Sequence, residues 1–231
     1  METEPDLSRW DFATREGDAR HKNSEAKTFE AARLAIAVLA DIVYRVGRGG
    51  LPKDSDTVEL RRVALGNVGA LAVRASNVAV LLLESGYGIE ALAPGRRLLE
   101  HQLRAKELYE DETGNAAQRW LAHKKATPMS SLIKANPGAG RLHGVMSRMA
   151  HDDRRAIETL YSPPSWVGSP SEKRAINLFP QPMATPLVSF ARLLVEAPCE
   201  IAVRIAEVNG ETITLPATVI VVLQEPTAMR R

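Results

Sequence analysis

The sequence predicts an all-α protein, a single helical bundle of five to seven helices, and three observations carry that prediction. Hydrophobic residues fill 45% of the 231 positions, enough for a sizeable core. Aromatic residues reach only 5% and the aliphatic share is led by Ala, Leu and Val, a mix that suits helix packing better than a sheet rich in β-branched and aromatic side chains. Apolar residues recur at spacings of three and four along most of the chain.

Residues 1–24 are charged and poor in aliphatics, with Trp10 and Phe12 the only large anchors, and are expected to form a flexible or docking N-terminal arm. The bundle is expected over 25–231. It comprises a core at 25–161, a proline-rich segment at 162–186 and a C-terminal helical part at 187–231. The first helix starts at Glu25, where Phe29, Leu34, Ala37, Val38, Asp41 and Ile42 recur at spacings of three and four, and stops at "GRGGLP". The second spans about Ser55 to Ser85, where Gly66, Gly69, Ala70, Ala72 and Ala75 invite close approach of a neighbour. Its apolar run Val63–Leu83 comes nearest to a membrane span, but Asn67, Arg74, Ser76 and Asn77 interrupt it. An arginine near the centre of a lone span costs roughly 2.5 to 3.5 kcal/mol, so a buried helix is the better reading. The third helix follows a turn at Ile89–Leu92, and Pro94 either opens it or kinks it. Gly114–Ala126 gives a fourth helix and Arg141–Tyr161 a fifth, separated by a less regular piece holding "NPGAG". Six prolines within the 24 residues Pro163–Pro186 exclude a single regular element there. Helix resumes over Leu187–Val208 with a kink expected at Pro198, and "ITLPATVIVVLQ" reads as a final strand or a short buried helix.

Thirty basic and 28 acidic side chains leave a net charge of +2, too little for a long-range field that gathers nucleic acid or anionic membrane. One cysteine, Cys199, excludes an internal disulfide and a cysteine-based zinc site. The acidic opening residues Glu2, Glu4 and Asp6 do not read as a secretory signal. A cytoplasmic protein without membrane, cofactor or metal is expected.

Two polar constellations stand out. On the third helix, Ile89, Leu92, Leu99 and Leu103 share an arc in which Arg96 also lies, one turn before Glu100. A guanidinium in an apolar core is very costly alone, so Arg96 and Glu100 are expected to pair and to organise the core. On the fifth helix, His143, Ser147 and His151 stack at intervals of four, opposite an apolar stripe of Leu142, Val145, Met146 and Met149. The two histidines lie roughly 12 Å apart along the axis, too far to share one metal ion. Either histidine approaches Ser147 from an adjacent turn, as an activated serine requires, but no nucleophile-elbow motif accompanies it. With His101 and His123, these histidines concentrate between residues 101 and 151.

The stretches "GYGIEALAPGRRLLEHQLRAKELYED", "AAQRWLAH" and "MSRMAHDD" resemble a family of uncharacterised bacterial helical domains. That family shows a glycine after a long helix, an Arg-x-x-x-Glu, a tryptophan or tyrosine helix and a late Ser-x-x-x-His. The resemblance covers about Val78 to Tyr161 and implies roles for Gly86, Arg96, Glu100, Trp120, Ser147 and His151. The family is in turn distantly similar to HEPN domains, which include RNA-cutting toxins and antiphage proteins that use an arginine and a histidine four to six residues apart. Arg96 and His101 fit that spacing. Five residues turn a helix by roughly 140°, so the likeness implies a site completed across a homodimer. The function expected is that of a helical binding or regulatory protein in bacterial defence or stress response, without chemistry of its own. The alternative is a metal-independent HEPN-like ribonuclease acting on RNA, with His101 as acid or base and Arg96 stabilising phosphate charge.

Overall fold

The computed structural model describes the chain over residues 7–46, 56–84, 90–122, 126–150 and 185–224, with side-chain surroundings from residue 27 onward and excepting 149, 150 and 185–189. The described residues form eight helices and no strand: α1 Leu7–Val46, α2 Thr57–Glu84, α3 Leu92–Glu110, α4 Asn115–Leu121, α5 Met129–Ala135, α6 Pro137–Ala150, α7 Thr185–Val208 and α8 Ala217–Gln224. The fold is all-α as expected. Eight helices exceed the expected five to seven because the irregular piece before Arg141 is itself helical.

α2 and α7 occupy the middle of the bundle. Each packs on α1 and on α3 as well as on the other, whereas α1 and α3 do not touch among the described residues. Small side chains on α2 permit this arrangement. A Cβ at Gly69 would sit 2.6 Å from Val43 of α1 and 2.8 Å from Ile205 of α7, so two aliphatic side chains share the space above one glycine. The core then closes around Leu39, Ile42, Leu65, Leu83, Leu98, Leu108, Phe190, Leu194, Ile201 and Ile205, all essentially dry. α2 is long and apolar enough to cross a membrane, but half of its most apolar window is buried inside the bundle. It packs here as a core helix.

The element ends follow local chemistry. Asp56 caps α2: its carboxylate accepts the Glu59 N–H at 2.8 Å and its carbonyl accepts the Leu60 N–H. α1 begins at Leu7, well before Glu25, so helix runs into the segment expected as an arm. Pro94 neither opens nor kinks α3. It is the third residue, where the missing N–H is one that a first turn leaves without an intrahelical partner. Gly95 beside it is required by packing, because a Cβ there would lie 1.9 Å from the ring of Phe190.

At the α3–α4 corner Gly114 takes a left-handed φ of 73°, and Asp111 accepts hydrogen bonds from the Thr113 hydroxyl and from the Thr113 and Ala116 N–H groups. α5 and α6 are separated by Asn136 alone, with Pro137 at the first helical position, where proline is favoured. α7 continues through Pro198, although the ring removes the N–H that would reach the Leu194 carbonyl. It ends in a Schellman turn at Gly210, whose φ is 66°; the Glu211 N–H reaches the Ala206 carbonyl and the Gly210 N–H that of Glu207. The last apolar run is helix, started after Pro216 and burying Val219. Residues 151–184, which hold most of the proline-rich segment and the second half of the expected fifth helix, lie outside the described residues.

Candidate functional site

Arg96 and Glu100 do pair, with Nε 3.4 Å from Oε1, but the pair is not the buried organiser of the core. The Arg96 side chain is 25% exposed and that of Glu100 15%, at the seam where α3 meets α6. The driest charge on α3 is Arg104, 8% exposed. It donates to the Glu107 carboxylate and, at 2.7 Å, to the Thr127 carbonyl, and its guanidinium lies 5.4 Å above the Trp120 ring. The apolar arc around Arg96 is real, but α6 faces it with histidine and serine, and a half-buried polar seam results. Spacing along α3 does not single out Arg104, because two of its three partners, the Thr127 carbonyl and the Trp120 ring, come from outside that helix.

Glu100 is the hub of that seam. Its Oε1 lies 3.2 Å from Nε2 of His143, and its Oε2 lies 3.5 Å from Nη1 of Arg97. Nδ1 of His143 in turn lies 3.4 Å from the Ser147 hydroxyl. An ionised carboxylate only accepts, so Nε2–H of a neutral His143 donates to Glu100 and leaves the Nδ1 lone pair facing Ser147; this tautomer is assigned from the network. The four-residue spacing on α6 stacks His143 and Ser147, and α3 brings the carboxylate from 43 positions away. His143 was legible as a neighbour of Ser147 in sequence, but its bond to Glu100 was not, since nothing local tells which helices pack.

His101 is half-buried, and burial pushes its pKa below the ordinary histidine value, with Glu100 opposing and Arg97 adding to the shift. Neither His101 nor Arg96 lines the two clefts described below. His151 and His123 lie outside the described residues. Among the described residues, no cluster of three or more His, Cys, Asp and Glu side chains could hold a metal ion.

Beside the seam a cleft of about 560 Å³ opens between α3, the α5–α6 junction and α7. Leu99, Leu103, Leu142 and Leu193 give it apolar walls, and Lys106, Glu196, Glu200 and Arg204 bring both signs of charge to it. These charges already have partners: Lys106 donates to Asn136 at 2.9 Å, Arg204 to Glu200 at 2.9 Å, and Glu196 accepts from Arg192. A second cleft of about 480 Å³ lies at the C-terminal end of α3. Its polar groups serve structure. Arg61 donates to the Leu108 and Tyr109 carbonyls that α3 leaves open, and a hydrogen bond to Glu207 raises the Tyr109 pKa.

No protein-family model matches the chain, and neither curated proteins nor solved structures give a match. The site is therefore read from its own residues.

Proposed function

We propose that the protein is a cytoplasmic helical binding or regulatory protein that takes a small amphipathic ligand in the cleft between α3, α6 and α7. The observation that carries this reading is the cleft itself. Its volume, about 560 Å³, falls within the roughly 300–1,000 Å³ of ordinary ligand sites, and aliphatic walls with a few convergent polar groups are what such sites use. Lys106 and Arg204 suit an anionic group on the ligand and Glu196 and Glu200 a cationic one, each by exchanging an internal partner for the ligand. A regulatory role in defence or stress response rests on the resemblance to the uncharacterised bacterial family.

The test exploits Gly138, which lines the cleft and has nothing within 4 Å of an added Cβ. Gly138→Phe is expected to fold as wild type and to abolish the chemical-shift changes that small amphipathic acids, amines and zwitterions induce in residues 99–106 and 135–142. Shifts elsewhere, or shifts unaffected by Gly138→Phe, would remove the cleft as the ligand site.

The second reading is a metal-independent HEPN-like ribonuclease, with RNA as substrate and a homodimer completing the site. Burial of His101 supports it, because it lowers the pKa and so favours the neutral imidazole that a general base needs. Incubation of purified protein with RNA decides it. Cleavage lost in both Arg96→Ala and His101→Ala supports the nuclease, and cleavage unchanged in either variant counts against it.

A further inference from the structure

We propose that Ser147, His143 and Glu100 form a nucleophilic relay that hydrolyses activated esters or thioesters, an activity beyond ligand binding. Three groups stand in line, hydroxyl to imidazole at 3.4 Å and imidazole to carboxylate at 3.2 Å. This is the order of nucleophile, base and orienting acid that activates a serine. Free enzymes commonly hold such contacts long, and substrate tightens them. The imidazole presents Nδ1 to serine and Nε2 to the acid, and the tautomer set by Glu100 places the accepting lone pair on the serine side. His143 and Glu100 are 20% and 15% exposed, dry enough to strengthen the relay while Ser147 stays half-buried and reachable.

The chemistry balances within the relay. Ser147 Oγ attacks the acyl carbon and its proton passes to His143 Nδ1. The imidazolium so formed is stabilised by Glu100 across Nε2. Collapse of the tetrahedral adduct breaks the bond to the leaving oxygen or sulfur, which takes the proton back from His143. Water, deprotonated by His143, then cleaves the acyl-serine, and the proton returns to Ser147. The net reaction is ester plus water giving acid plus alcohol, or thioester plus water giving acid plus thiol.

The substrate class follows from what lies around the serine. Ser147 sits within α6, whose backbone N–H groups are engaged in the helix and cannot serve an oxyanion. Without a pair of free backbone N–H groups beside the serine, aryl esters and thioesters, whose leaving groups depart easily, are within reach where amides are not.

The experiment uses the full-length protein, a fluorophosphonate probe and p-nitrophenyl acetate. The expected result is covalent labelling mapped by peptide mass to Ser147, with ester hydrolysis reduced at least tenfold in Ser147→Ala and His143→Ala. Glu100→Gln is expected to lower kcat more than it raises KM, since the acid acts through the imidazole. Circular dichroism of each variant separates loss of activity from loss of fold, and probe labelling of the unmutated protein needs no variant at all. No labelling, labelling at a residue other than Ser147, or hydrolysis unchanged in folded Ser147→Ala would overturn the relay.

Discussion

Arg104 is the residue on which α3 most depends for charge, and it is the one that sequence periodicity passed over. Its guanidinium is held between Glu107, the Thr127 carbonyl and the Trp120 ring, so removal leaves a half-dry carboxylate and a carbonyl without donors. Arg104→Ala is expected to destabilise the protein by about 3 kcal/mol in urea unfolding, the scale for breaking a buried ion pair. Arg104→Lys should fall between, because it keeps the charge but loses the planar fork that reaches two acceptors and stacks on a ring. A change below about 0.5 kcal/mol in Arg104→Ala would show that the cluster is a solvated one. At this scale the sequence disclosed partners within one helix, such as Arg96 with Glu100 and His143 with Ser147. Partners across helices, Glu100 with His143 or Arg104 with Thr127, depend on which faces meet, and no local spacing encodes that.

At the scale of the element, the sequence marked helix interiors well and their ends less well. The "APG" at the start of α3 allows proline either to open the helix or to kink it, and the structure shows proline tolerated in a first turn and glycine demanded by a neighbour's ring. Gly95→Ala separates the two effects. Helix propensity alone would make alanine more stable by about 1 kcal/mol. The collision with Phe190 predicts a loss of about 1–3 kcal/mol instead, recovered in part when Phe190→Leu is added. The α3–α4 corner gives a prediction in pH. Hydrogen bonds from the Thr113 hydroxyl and the Ala116 N–H, in that order, hold the Asp111 carboxyl below its ordinary value of 3.8. A depressed folded pKa means stability present above the unfolded value and lost as pH falls through the folded one. Asp111→Asn should therefore lose less stability than wild type between about pH 5 and pH 2 in thermal melts. Parallel acid curves for the two proteins would show that the corner does not titrate with folding. α6 starts ahead of the expected Arg141, because Pro137 begins a helix as readily as it ends one.

For the whole molecule, composition and periodicity were enough for the all-α class, because few aromatics and abundant small aliphatics leave helix packing as the way to build a core. The arrangement, with α2 and α7 central and α1 and α3 held apart, was not legible, since it depends on Val43 and Ile205 meeting over Gly69, which only the assembled helices define. Cys199 on central α7 reports on this arrangement. Burial first, then the charges of Glu200 and Glu196, push its thiol up to about 11, so it should react with a disulfide reagent only when the bundle opens. The modification rate is expected to rise with denaturant in step with unfolding, and prompt reaction in native buffer would contradict a closed centre.

Glu100 reaching His143 across the α3–α6 seam is the contact that makes the seam a site, and a double-mutant cycle on those two residues tests it most directly. Urea unfolding of Glu100→Ala, His143→Ala and the double variant is predicted to give a coupling of about 1 kcal/mol, within the roughly 0.5–3 kcal/mol seen for residues in one hydrogen-bonded network. Effects that add to within about 0.3 kcal/mol would mean that the two side chains do not meet in solution, and the seam would no longer be a site.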